Sequence, residues 1–146
     1  MRTGLVAIAL LATMACGSSE TSSLPSVGRV TLEVSGGFTG WARVLTVESD
    51  GKARVQVLRG PSPSAGTQQL DPDVLSRLHD LVSDPAFAQL APAYLPPRPG
   101  ADLQDYTVTA EVGRKTLKTM ARDGASPPPV LREVLSILNG VLAGAG

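Results

Sequence analysis

The sequence predicts an α+β fold, an antiparallel sheet of four to five strands with two helices packed on one face. Three observations predict it. Apolar residues recur at every second position in several short segments, the period of a half-buried strand. Two longer segments carry apolar residues at helical spacing instead. The segments follow one another as strand, strand, strand, helix, strand, strand, helix, and a two-layer sandwich buries every apolar stripe at once.

Val30, Leu32 and Val34 alternate with Thr31 and Glu33 in the first strand. Ser35-Gly36-Gly37-Phe38-Thr39-Gly40 interrupts the pattern, and Trp41, Arg43, Leu45 and Val47 resume it in the second. The spacing of this segment suits a wide hairpin connection with Phe38 folded back onto the sheet end better than a binding loop with Phe38 exposed. Asp50-Gly51 predicts a two-residue type I′ hairpin, with positive φ at both positions. It leads to Ala53, Val55 and Val57 of the third strand. Gly60 to Gly66 reads as a loop by composition. Asp71-Pro72-Asp73 marks a helix start: Asp71 can cap free backbone N–H groups, Pro72 suits the first turn and Asp73 complements the dipole. Val74, Leu75, Leu78, Leu81 and Val82 make its apolar stripe, Asp84-Pro85 ends it, and Phe87 and Leu90 tuck the exit into the core.

Ala91 to Gly100 holds four prolines and reads as an irregular loop. Tyr106, Val108, Ala110 and Val112 form a fourth strand, and a tight turn at Gly113-Arg114 leads to a fifth through Leu117 and Thr119. Ser126-Pro127-Pro128-Pro129 opens the second helix, whose wide stripe runs from Val130 and Leu131 to Val141 and Leu142. Asn139-Gly140 is expected to end it early.

The first residues read as an export signal. Arg2 precedes the apolar run Leu5 to Ala12, too short for a spanning helix, which needs roughly 20 apolar residues. Met14-Ala15-Cys16 places a small residue just before the chain's only cysteine. This resembles the lipobox of bacterial lipoproteins, although Thr13 stands where that pattern favours Leu. The expected layout is a signal peptide at 1–15, a tether at 16–26 beginning with an acylated Cys16, and one domain at 27–143. Residues 17–26 are small and polar and bury too little to order themselves. The resemblance implies an exported protein held to the membrane through its N-terminal lipid. Gly17 is not the Asp that retains lipoproteins at the inner membrane, which favours the outer membrane in a Gram-negative cell.

Composition narrows the function classes. Thirteen basic residues balance thirteen acidic ones and aromatics make up 3%, so no nucleic-acid surface is expected. One cysteine allows no internal disulfide. No catalytic, metal-ligating or phosphate-cradling spacing is present, so neither enzyme activity nor a metal or cofactor is expected. The single histidine, His79, reads as a helix-surface residue beside the apolar stripe.

Arg29-Val30-Thr31-Leu32-Glu33-Val34-Ser35-Gly36-Gly37-Phe38, with Trp41 and Val47 behind it, resembles the start of the emfourin (protealysin inhibitor) family. Leu70-Asp71-Pro72 before the Leu75–Leu78–Leu81 helix, and Asp105-Tyr106-Thr107-Val108 at the fourth strand, continue the resemblance in order. It covers nearly everything after the tether. Members of that family are small proteinaceous inhibitors of thermolysin-like zinc metalloproteases. The resemblance implies that loops at one end of the sheet block the protease cleft. On this chain those are Ser35, Gly36, Gly37, Phe38, Thr39 and Gly40, together with the turn at Gly113 and Arg114. The implied partner is a secreted or envelope thermolysin-like metalloprotease, bound by a monomer. Such enzymes prefer a large apolar side chain just after the scissile bond, which Phe38 would supply. Trp41, just behind the loop, is either a second contact to the protease or a cap on the core that fixes the loop's base, and its alternation with Leu45 and Val47 favours the cap. The alternatives are a non-enzymatic envelope lipoprotein serving as an interaction module, a small-ligand site under Ala91 to Gly100 with Tyr94, and an enzyme site around His79.

Overall fold

Residues 25–60, 65–98 and 100–145 are described by a computed structural model. The expected signal peptide, Cys16 and the tether as far as Leu24 lie outside the described residues, as does part of the loop from Gly60 to Gly66. The class is α+β. In chain order the elements are β1 (Val27–Gly36), β2 (Trp41–Glu48), β3 (Lys52–Arg59), β4 (Thr67–Gln69), α1 (Pro72–Ser83), α2 (Pro85–Ala88), β5 (Ala93–Tyr94), β6 (Gln104–Val112), β7 (Lys115–Arg122) and α3 (Pro129–Gly144).

The expectation of four to five antiparallel strands and two helices is corrected: the sheet has seven strands in the order β4-β3-β2-β1-β6-β7-β5, and there are three helices. The sheet is mixed, because β5 runs parallel to β7 while the other neighbours are antiparallel. The Ala91–Gly100 segment is therefore not wholly irregular. Thr119 Oγ1 donates to the Ala91 carbonyl at 2.8 Å, and the Met120 N–H donates to the Pro92 carbonyl at 3.0 Å. These bonds hold β5 in place although its own residues carry no strand signal.

The alternating residues do what their period implies. Leu32 of β1 lies opposite Leu45 on one side and Val108 on the other, and all three are fully buried. One apolar face of the sheet meets Leu78, Leu81 and Val82 of α1, Phe87 of α2, and Leu131, Val134, Leu138 and Leu142 of α3 in a single core. Thr119 and Ala121 supply the core face of β7. The Asp71 side chain accepts from the Asp73 N–H at 2.8 Å and caps α1. Asp84 accepts from the Ala86 N–H at 2.7 Å, so the residue that ends α1 also caps α2.

Two local expectations change. Asp50-Gly51 is not a type I′ turn: Gly51 alone has positive φ, +83°, and the Gly51 N–H reaches the Glu48 carbonyl. The connection is the three-residue loop Ser49-Asp50-Gly51, in which a tight turn is followed by a left-handed glycine. α3 does not stop at Asn139-Gly140 but continues to Gly144, and the Asn139 amide donates back to the Leu135 carbonyl at 2.9 Å. Gly140 thus sits inside a helix, exposed, with no atom within 4 Å of where a Cβ would stand. Gly140→Ala should stabilise the fold by about 0.5–1 kcal/mol, read from urea unfolding, because alanine forfeits less backbone entropy in a helix. No helix among the described residues is long and apolar enough to cross a membrane.

Candidate functional site

β1 and β2 are joined by the four residues Gly37 to Gly40 at one end of the sheet. Three glycines shape this loop. Gly36, Gly37 and Gly40 have φ of +99°, +72° and +61°, the left-handed region that strains other residues. Gly36 also permits a close approach, since a Cβ there would stand 2.8 Å from the Leu103 carbonyl oxygen. The Gly37 N–H donates to that carbonyl at 3.1 Å, and the Gly40 N–H closes the loop on the Gly37 carbonyl at 3.1 Å. The backbone is thus pinned on both sides. Phe38 at the tip is 90% exposed, and Thr39 beside it is also exposed.

Exposed apolar side chains gather at this end. Trp41, Leu58 and Leu95 lie at the same ends of β2, β3 and β5 as Phe38, leaving Val74 on α1 as the remaining exposed large hydrophobic among the described residues. Trp41 does not cap the core as expected. It is 41% exposed, and its ring lies against Gly60, where a Cβ would stand 3.3 Å from Trp41 Cγ.

A polar buttress stands behind the loop. The Gln104 N–H donates to Asp123 Oδ2 at 2.9 Å, the Asp123 N–H returns a bond to the Gln104 carbonyl at 2.9 Å, and the Tyr106 hydroxyl donates to Gln104 Oε1 at 3.0 Å. Burial, then the Asp123 carboxylate, pushes the Tyr106 hydroxyl above the usual phenol range, while Arg43 opposes the shift. Arg122 donates twice to Asp105, at 2.7 and 2.9 Å. Those bonds hold the Asp105 carboxyl below its usual range, against the opposing effect of burial. A carboxyl with a lowered folded value stabilises the fold above its unfolded pKa, and that contribution disappears as pH falls through the folded one. Asp105→Asn should therefore lower the melting temperature slightly at pH 7, and the gap to wild type should close in strong acid. No local sequence pattern marks this buttress, because Arg122 and Asp123 reach Asp105 and Gln104 only through the β6–β7 pairing.

The second expected segment is elsewhere. Gly113 and Arg114 form the two-residue β6–β7 turn, with Gly113 at φ +59°. The Gly113 N–H donates to the Ser26 carbonyl at 2.8 Å, at the beginning of β1. β6 runs antiparallel to β1, so it starts beside Gly36 and finishes beside Val27. The two segments thus lie at opposite ends of a strand about 30 Å long, at roughly 3.3 Å per residue, and the expectation that they share one end is overturned.

His79 lies half-buried on α1, and burial lowers its pKa against the opposing charge of Asp80. Among the described residues, no group of three or more His, Cys, Asp or Glu side chains could hold a metal ion. Near the proline-rich segment, Pro96, Pro97, Arg98, Leu103, Asp123 and Gly124 border an open depression of about 470 Å³. The Tyr94 hydroxyl accepts from the Ala91 N–H at 2.9 Å. No family model matches this chain, and no curated protein matches it.

Proposed function

We propose that this protein is a membrane-anchored inhibitor of thermolysin-like zinc metalloproteases and that Ser35 to Gly40 blocks the active-site cleft. The observation that carries this reading is Phe38, 90% exposed at the tip of a loop whose backbone is pinned by the Leu103 carbonyl and by its own closing bond. An exposed phenyl ring costs solvation free energy unless a partner covers it. A loop already held in shape loses little conformational freedom on binding. The likeness of the Ser35–Phe38 stretch to the emfourin family supplies the protease class.

Phe38 enters the pocket that takes the residue after the scissile bond, and the glycines let the main chain approach the cleft. Ser35 to Gly40 contains no His, Cys or carboxylate, so a contact to the protease zinc would come from a backbone carbonyl or from the hydroxyl of Ser35 or Thr39. Inhibition then works by occlusion and not by extracting the metal. Gly113 and Arg114 take no part in this contact, since they occupy the other end of the sheet.

The two ends match an anchored inhibitor. The chain joins the domain at Ser26, against the Gly113 turn. With Cys16 acylated, the ten residues to Ser26 would reach at most about 35 Å, so the domain would be attached through its Gly113 end while Phe38 lies at the other end of β1. Competition tests this reading. A small transition-state analogue bound at the protease active site should exclude the protein from the protease. Simultaneous binding of both, or no binding at all, would favour the alternative of an envelope docking module.

A further inference from the structure

On the helix-facing side of the sheet, one cross-strand row near the Phe38 loop contains Val57, Arg43, Val34 and Tyr106. The next row outward contains Trp41, Gly36 and Gln104. Among the described residues two arginines are half-buried, Arg43 and Arg122. Arg122 has Asp105 as its counter-ion. Arg43 has no carboxylate within ion-pairing distance among the described residues, and Tyr106 lies close enough to feel its charge. A partly desolvated guanidinium gains most from a carboxylate that arrives with its own water displaced. The half-exposed indole of Trp41, two positions before it on the same face, offers an apolar wall beside that charge.

We propose that Arg43 and Trp41 form a second binding site for the protease, next to the Phe38 pocket, in which Arg43 takes a carboxylate from the rim of the protease cleft. This rests on the inhibitor reading above. Phe38 supplies apolar anchorage, and Arg43 selects among thermolysin-like enzymes those with an acidic group at that point of the rim. Arginine suits the task because its planar fork can hold both carboxylate oxygens.

The test compares inhibition constants of wild type, Arg43→Met and Arg43→Lys against one thermolysin-like metalloprotease, at low and at high salt, with melting temperatures alongside. Wild-type inhibition should weaken as salt rises. Arg43→Met should weaken inhibition by about tenfold or more at low salt, flatten the salt dependence and leave the melting temperature unchanged. Arg43→Lys should keep the salt dependence and lose part of the affinity. An inhibiting wild type matched by Arg43→Met, or one indifferent to salt, overturns this site and leaves the inhibitor reading standing. A wild type that does not inhibit overturns both. Should Arg43→Met fail to fold, the salt dependence of wild type and Arg43→Lys decides the question.

Discussion

Phe38→Ala should weaken inhibition of a thermolysin-like metalloprotease by roughly thirtyfold or more, because a buried aromatic anchor at an interface is commonly worth at least about 2 kcal/mol. The same substitution should leave thermal unfolding unchanged. At 90% exposure the ring makes little contact within the molecule, and the backbone bonds that shape the loop involve Gly37, Gly40 and Leu103. Parallel melting and inhibition curves separate the two effects. Equal inhibition by the variant would remove Phe38 from the mechanism, and a lowered melting temperature would show that the ring packs inward.

Leu32→Ala should produce the opposite pattern. Leu32 is fully buried in β1, the central strand, between Leu45 and Val108. Removing its branched end leaves a cavity that neighbouring strands cannot close, at a cost of about 2–5 kcal/mol in urea unfolding. That is a large share of the stability of a domain this size. The protein that remains folded should inhibit with unchanged affinity, since the loop hangs from backbone pairing at Gly36 and Leu103. Loss of affinity in the folded fraction would mean that loop shape depends on core packing more closely than the backbone bonds indicate.

Where an element is long and half-buried, its residues announce it. Val30–Leu32–Val34, Leu45–Val47, Ala53–Val55 and Val108–Ala110–Val112 each show the period of two, and the buried set follows that period. Asp71 and Pro72 mark the start of α1 because capping is a local interaction. β4, with three residues, and β5, with two, are too short to display a period. Their pairing is decided by distant partners, as when Thr119 and Met120 take hold of Ala91 and Pro92. The four-residue α2 is likewise fixed by burial of Phe87. At Asn139-Gly140 a local stop signal yields to a stripe whose next member, Leu142, still belongs to the core.

The candidate site divides along the same line. The loop at Gly36-Gly37 is legible because glycine readily adopts the positive φ it requires, but the spacing favours a Phe38 folded back onto the sheet end, and it is the family resemblance that points the ring outward. The position of Gly113 is not legible, since it depends on β6 pairing with β1 and not on any residue near the turn. Arg43 and Tyr106 are far apart in the chain and become neighbours only through Val34 between them. Strand order, which the local patterns do not encode, thus decides which residues can act together.

The most direct measurement is the initial rate of a thermolysin-like metalloprotease on a peptide substrate as this protein is added in increasing amounts. The account predicts that the rate falls toward zero at saturating dose, that substrate relieves the inhibition competitively, and that the zinc stays with the enzyme. Full turnover at saturating dose would contradict it.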